Sequence, residues 1–276
     1  MAKQPKLTPA QAKAFQAQIW AFYGHSGRHN LPWRKTNNPY KILVSEVMLQ
    51  QTQVSRVLEK YPQFLKAFPT VETLAEAPLS EVLKVWQGMG YNRRGLALKR
   101  MAEKVMAEFK GKVPRERHDL ESLPGVGPYT AGAVRAFAFN EPEIFIETNI
   151  RRIFIHHFFK NKEGISDKEI ALLVEATLDR TRPREWYWAL MDYGSHLPKV
   201  TKNNSNTRSK HYVRQSTFKG SLRELRGKIL RTLGEESKTL VSLKRACDND
   251  ERTKEAIEAL TKDGLITYEK RKYKLA

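Results

Sequence analysis

Through the first two hundred residues the apolar side chains recur every three or four positions, and strand signals are almost absent before residue 260. That period places them on one face of a helix rather than on alternate sides of a strand. The chain is therefore expected to be mainly α, with short Pro- and Gly-marked connections. Residues 9–24 carry Phe15, Ile19, Trp20 and Phe22 at mostly helical spacing, and apolar positions continue at that spacing from Tyr40 to Phe68. The stretches LSEVLKVWQGMG (79–90), RGLALKRMAEKVMAEF (94–109) and TAGAVRAFAF (130–139) keep the same period, several of the helical stretches ending at Gly as helix C-caps do. No internal repeat is detectable.

At 276 residues and 40% hydrophobic content, the chain can bury a sizeable core as one large domain or two smaller ones. The 49 Lys and Arg exceed the 30 Asp and Glu, a formal charge of +19, which points first to a nucleic-acid partner. No apolar run approaches the roughly 20 residues of a membrane span. The N-terminal MAKQPKLTPAQ lacks the apolar segment of a secretory signal, so a cytoplasmic, nucleoid-associated protein is expected. The single cysteine, Cys247, rules out an internal disulfide, a Cys-ligated zinc site and an iron–sulfur cluster held by four cysteines of one chain. No tightly bound cofactor or metal is expected.

Composition shifts at 198–219, a polar, basic stretch without acidic residues that reads either as a solvated linker or as a phosphate-tracking segment. Beyond it come three short helical stretches and KDGLITYEKRKYKL, two β-prone runs around a charged turn, the order of a winged helix.

Three stretches carry the chemistry. In LPGVGPYTAGA (123–133), Pro124 ends one helix, Gly125 and Gly127 permit a tight turn, and small residues open the next helix. Such a hairpin is either an ordinary αα turn or a set of backbone amides aimed at a phosphate. In SEVMLQQTQV (45–54), Glu46 and Gln50 fall one turn apart on one helix face. Glu46 is either a solvent-facing carboxylate or, amid ILVSEVML, a proton donor with a raised pKa. In IFIETNIRRIF (144–154), Glu147 sits close to a helix start, beside Thr148 or Asn149 as the cap. Two carboxyls in such contrasting settings suit cleavage of a glycosidic bond, one protonating the leaving group and the other stabilising a cationic sugar.

LPWRKTNNPYKILVSEVMLQQTQV (31–54), FPTVETLAEAPLSEVLKVWQGMGYNRR (68–94) and LPGVGPYTAGAV (123–134), in this order, resemble MutY-type adenine DNA glycosylases of the helix-hairpin-helix superfamily. The resemblance runs from about residue 12 to 195. It implies a glycosylase domain over 1–197, with a helical barrel at about 30–135 and a second helical subdomain from 1–29 plus 136–197. A basic linker (198–221) and a winged-helix-like domain (222–276) follow. By the same resemblance, Glu46 protonates the departing adenine, Tyr129 lies near the catalytic centre and Asn149 hydrogen-bonds the second carboxylate, here Glu147. Relatives similar to endonuclease III have a lysine at the position of Tyr129, so a monofunctional glycosylase without lyase activity is implied. Gln51 and Tyr91 match residues that wedge into the base stack and probe the opposite strand. Arg34, Gln50, Thr52, Gly125, Gly127 and Thr130 complete the residues expected on double-stranded DNA. The resemblance also allows a monovalent cation at the hairpin, and a monomer.

The chain departs from the family pattern in three places. Glu147 stands for Asp and Thr148 for Gly. The stretch after LMDYG has no cluster cysteines, its basic residues being candidates to grip phosphates instead. Residues 222–276 are too short and too helical for the Nudix-like domain that reads 8-oxoguanine. The implied activity is excision of a mispaired adenine opposite guanine or 8-oxoguanine. Uracil or thymine mismatch excision, or structure-specific DNA binding without catalysis, are the alternatives.

Overall fold

The computed structural model describes residues 7–276; the first six residues, where the signal-peptide argument begins, lie outside them. In chain order the helices are α1 (Pro9–Ser26), α2 (Pro39–Leu49), α3 (Val54–Ala67), α4 (Val71–Glu76), α5 (Leu79–Trp86), α6 (Arg93–Phe109) and α7 (Arg117–Glu121). They continue as α8 (Pro128–Phe139), α9 (Thr148–Phe158), α10 (Asp167–Thr177), α11 (Pro183–Thr201), α12 (Leu222–Glu235), α13 (Leu240–Ala246) and α14 (Thr253–Lys262). Two strands, β1 (Ile266–Glu269) and β2 (Lys272–Leu275), close the chain. Mainly α is therefore the observed class, and among the described residues no helix is long and apolar enough to cross a membrane.

The chain folds as two compact units. The first comprises residues up to Ile42, Arg115–Glu121 and Val126–Arg214; the second comprises Leu43–Pro114, Ser122–Gly125 and Gln215–Ala276. In the first unit α11 packs on α1, α8 and α9, with Phe15, Ile19, Ile153, Phe154 and Trp186 fully or almost fully buried between them. Thr8 and Gln11 start α1 with reciprocal side-chain to backbone bonds of 3.2 and 2.9 Å, satisfying two amide donors that an uncapped helix leaves open. His156 and His157 are both half-buried, and the His157 ring lies against Phe15 and Tyr193.

In the second unit α6 packs against α4 and α5 over Phe64, Leu74, Trp86, Leu98 and Met101. The run from Tyr40 to Phe68 is not continuous helix: α2 stops at Leu49, and Gln51 takes a left-handed φ of 53° before α3 begins. The last three helices and the hairpin have the winged-helix order. β1 and β2 pair antiparallel from Ile266↔Leu275 to Glu269↔Lys272, with Lys270 and Arg271 in left-handed conformation at the tip, as a two-residue hairpin turn requires. Their core of Leu225, Ile229, Leu233, Leu243 and Leu260 is completed by Leu83 of α5 and Leu96 of α6. A domain of about 55 residues is marginal by surface-to-volume scaling, and the two leucines of the preceding helices enlarge its core.

Candidate active site

In the first unit the chemistry gathers at the start of α9. Glu147 is itself the N-cap, not Thr148 or Asn149: its Oε1 accepts the backbone amides of Asn149 at 2.6 Å and Ile150 at 2.9 Å. A glutamate side chain reaches the same two amides that a shorter Asp or Ser caps from this position. Its Oε2 accepts the side-chain amide of Asn149 at 3.2 Å. Asn149 in turn accepts a hydrogen bond from Arg152 at 2.7 Å, and Arg152 also donates to the carbonyl of Gly194 at 2.8 Å. Gly194 must be glycine, since a Cβ there would lie 2.4 Å from the Asn149 carbonyl oxygen. Burial pushes the Glu147 carboxyl above the ordinary carboxylate range, opposed by the two amides and by Arg152 and Arg151. The carboxyl is thus fixed in direction by three donors and sits at the positive end of a helix.

In the second unit Glu46 lies on α2 and is buried, between Ser45 and Val47, which are buried too. The solvent-facing alternative is excluded by that burial. Gln50 was expected one turn along the same helix, but it lies beyond the helix end. Arg94 accounts for the break. Its guanidinium draws in the carbonyls of Val47 at 2.9 Å, Met48 at 3.1 Å and Gln50, and donates to Thr52 Oγ1 at 2.9 Å. The same group binds the carbonyls of Met89 at 3.0 Å and Gly90 at 3.3 Å, so one side chain ties the turn after α2 to the loop before α6. Desolvation lowers its pKa to about 10, leaving the cation intact at neutral pH. On the two loops so joined, Gln51 and Tyr91 both adopt left-handed backbone, φ 53° and 45°. The amide of Gln215 reaches Gln51 Oε1 at 3.5 Å and the Tyr91 hydroxyl at 2.6 Å.

At the hairpin, Gly125 takes φ +79° and a Cβ there would approach that of Ala97 to 2.8 Å, so its lack of a side chain is required twice over. Gly127 does not need left-handed freedom: it is the N-cap of α8 with φ −96°. The helix that precedes them, α7, ends at Glu121 rather than at Pro124. Thr130, expected on DNA, is buried in α8. Arg34, also expected on DNA, is committed within the protein, its fork lying on both oxygens of Asp192 at 2.7 and 2.8 Å with 4% of the side chain exposed. Its partners hold the Asp192 carboxyl below its usual range, against the desolvation that opposes its charge. Tyr129 packs edge-on against Phe145, and both line a cavity of 390 Å³ with Lys168.

The stretch after α11 is exposed from Lys210 to Gly220 but partly packed before that, so it is not a solvated linker throughout. Ser205, Asn206 and Ser209 are buried. The Asn206 amide donates to the Thr148 carbonyl at 2.9 Å, Asn204 accepts from Arg152, and Arg208 donates to the carbonyls of Ile155, Phe159 and Lys160. Both ends of α9 are thereby held by this one segment. Its Asn, Ser, Thr and Arg side chains offer no thiolate and do not fit a cluster ligated by four cysteines. Arg94, Arg152, Asn204 and Asn206 are the positioning residues that periodicity misses. The signal for Arg94 is its place in GMGYNRR, a cation one helical turn after a glycine-containing loop whose carbonyls face outward from any helix.

Residues 44–178 match the model of the HhH-GPD superfamily of base excision DNA repair proteins. An adenine DNA glycosylase of Buchnera aphidicola subsp. Baizongia pistaciae is 37% identical over 185 residues, covering 66% of this chain and 52% of that one. The chain thus spans about half the length of that relative. A thymine/uracil-DNA glycosylase of Methanothermobacter thermautotrophicus is 30% identical over 218 residues, which cover 76% of this chain and 98% of that protein. The solved structure of a thermostable thymine-DNA glycosylase superposes with a TM-score of 0.59 at 29% identity, over 67% of this chain and 86% of that one. The matched residues include Glu46, the Gly125–Gly127 hairpin and Glu147, and the chain belongs to the HhH-GPD superfamily of base excision DNA repair proteins.

Proposed function

We propose that this protein is a monofunctional DNA glycosylase that extrudes a mispaired base from duplex DNA and hydrolyses its bond to the sugar, with adenine opposite guanine or 8-oxoguanine as the leading substrate. The observation that carries the reading is the carboxylate of Glu147, capped by two backbone amides and by Asn149. A negative charge fixed before substrate arrives is what an oxocarbenium-like sugar needs, since the donors need not reorganise as the positive charge develops. Glu46 supplies the proton. Buried on α2, it takes the part of the general acid that hands a proton to the leaving base. Tyr129 lacks the amine that would attack the sugar carbon, so water completes the reaction and the product is an intact abasic site. The adenine assignment draws on the adenine DNA glycosylase relative, and duplex binding on the charge of +19.

A second reading, excision of thymine or uracil from mismatches with guanine, is favoured by the near-complete span, 98%, of the thymine/uracil-DNA glycosylase relative. The two separate in one experiment: single-turnover base release, with alkali to cleave abasic sites, on duplexes carrying A:8-oxoG, A:G, U:G and T:G. Product from the adenine duplexes that disappears in Glu46→Gln and Glu147→Gln supports the first reading. Product only from the pyrimidine mismatches replaces it by the second, and intact binding with no product on any duplex refutes both.

A further inference from the structure

A cavity of about 410 Å³ opens in the second unit on the side of Gln51 and Tyr91, where residues of α12 and of the segment before it form part of its wall. Two aromatic rings, Tyr91 and Phe218, line it together with planar amide and guanidinium groups that include Gln51, Gln87, Gln215 and Arg223. No carboxylate contributes to the lining. The Arg223 guanidinium lies 5.3 Å from the centre of the Tyr91 ring and donates to the Tyr91 hydroxyl and to the carbonyl of Ser216 at 2.7 Å. All its partners are neutral, so its charge stands uncompensated beside the cavity. Phe218 is 58% exposed, an aromatic face with nothing packed over much of it.

Aromatic faces with a guanidinium and side-chain amides between them match one class of ligand, a flat heterocycle with several edge acceptors and donors. Among the bases, guanine presents two adjacent acceptors, O6 and N7, to an arginine fork, and amides can satisfy its remaining edge in either direction. The strained backbone supports a functional rather than an incidental cavity. Gln51 and Tyr91 hold left-handed conformations that cost a non-glycine residue free energy, and both side chains face the same space.

We infer that this cavity receives the guanine-type base left without a partner on the opposite strand when the target base is extruded, and that Arg223, Gln215 and Phe218 read it. The inference rests on the proposed base extrusion, in which Gln51 and Tyr91 enter the duplex. The C-terminal segment thereby gains a defined role, in which residues 215–223, outside the matched span 44–178, set the opposite-base preference.

The test separates this inference from the proposed chemistry by reading binding alone. Affinity of the full chain is measured for duplexes carrying a tetrahydrofuran abasic analogue opposite each of the four bases, for the wild type, Arg223→Lys, Gln215→Ala and Phe218→Ala. Wild type is expected to bind the guanine-opposed site about tenfold more tightly than the cytosine- or thymine-opposed ones, as one good bidentate contact provides. Arg223→Lys keeps the charge but loses the fork, and is expected to bring that ratio within about twofold while preserving affinity for fully paired DNA. Gln215 and Phe218 are exposed, so their variants fold, and each is expected to reduce the ratio. A wild type indifferent to the opposite base, or a preference unchanged in all three variants, would overturn the inference. A guanine preference that survives in a protein without base release would leave it standing while the proposed chemistry fell.

Discussion

Asn149 holds Glu147 twice, through its backbone amide at 2.6 Å to Oε1 and through its side-chain amide at 3.2 Å to Oε2. Two parts of one residue thus fix both oxygens of the carboxylate. Removing the charge while keeping the shape, as Glu147→Gln does, is expected to slow base release by about 10²-fold or more, the scale of losing a preorganised electrostatic partner. DNA affinity should change little. Glu147→Asp keeps an N-capping carboxylate, and single-turnover rates within about tenfold of wild type are expected. Asn149→Ala leaves the backbone bond but frees Oε2, and an intermediate loss is expected. A Glu147→Gln rate equal to wild type would remove Glu147 from the mechanism.

On the proposed monofunctional reading, Tyr129 stands where relatives similar to endonuclease III have a lysine. Wild type incubated with its substrate duplex and borohydride is expected to give no trapped protein–DNA adduct, and product strands should break only after alkali. Tyr129→Lys places a nucleophilic amine there, and a borohydride-trapped adduct is the expected result. Trapping by the wild type would overturn the monofunctional assignment.

Arg94 binds backbone carbonyls from two loops and is substantially buried. Its loss removes a donor from the carbonyls of Val47, Met48 and Met89, while Gly90 keeps the Trp86 indole at 3.1 Å. Arg94→Ala is expected to cost about 3 kcal/mol, read as a lower urea midpoint, because buried acceptors left unpaired carry most of their desolvation cost. Arg94→Lys keeps one cation but cannot span both loops, so most of that loss should remain.

Much of this was open to reading from residues alone, and the limits have physical causes. Helix positions follow from apolar spacing, and the winged-helix order from a Gly-ended helix followed by two β-prone runs. The break at Gln50–Gln53 was not legible, because nothing local forbids helix there; an arginine more than forty residues away draws the carbonyls out of the ladder. Glu147 as its own cap was hidden because two better capping residues follow it directly. Arg34 carried the opposite error, a cation read as a phosphate contact that Asp192, 158 residues on, neutralises inside the fold. Polar composition at 198–219 suggested solvent exposure, yet Asn206 is buried against Thr148. Side-chain partners distant in sequence decided all of these except the Glu147 cap, whose partners are two and three residues on.

The His157 ring, packed against Phe15 and Phe158, has its pKa lowered to about 4, mainly by burial, with His156 and Lys160 adding repulsion. An unfolded histidine titrates near 6.5, so between about pH 6.5 and 4 the unfolded chain binds the extra proton. Stability from the neutral ring is therefore complete above pH 6.5 and falls as pH drops toward 4. The expected loss is about 2 kcal/mol after allowing for solvent screening of a partly exposed ring. Glu147 acts in the opposite sense, since a raised carboxyl pKa favours the folded state as pH falls, so wild type alone would not isolate the histidine. The comparison is with His157→Phe: its midpoint should fall less than that of wild type between pH 7.5 and 4.5, and equal falls would assign the acid sensitivity elsewhere.

Binding to duplex DNA should depend steeply on salt, because the protein carries a formal charge of +19. A protein that neutralises about six phosphates loses roughly 10³-fold in affinity between 50 and 200 mM salt as condensed counterions cease to be released. Several of the 49 basic residues cannot contribute. Arg34 and Arg28 are held by Asp192, Arg151 by Asp167, and Arg135 by Glu141 and Glu143. Lys210, Arg214 and Lys219 belong to the exposed segment before α12 and form no ion pair among the described residues. Replacing these three together by Gln is expected to flatten the slope of log affinity against log salt by up to about 3, the counterions they would release. An unchanged slope would take this segment off the DNA and return the phosphate contacts to the helical units.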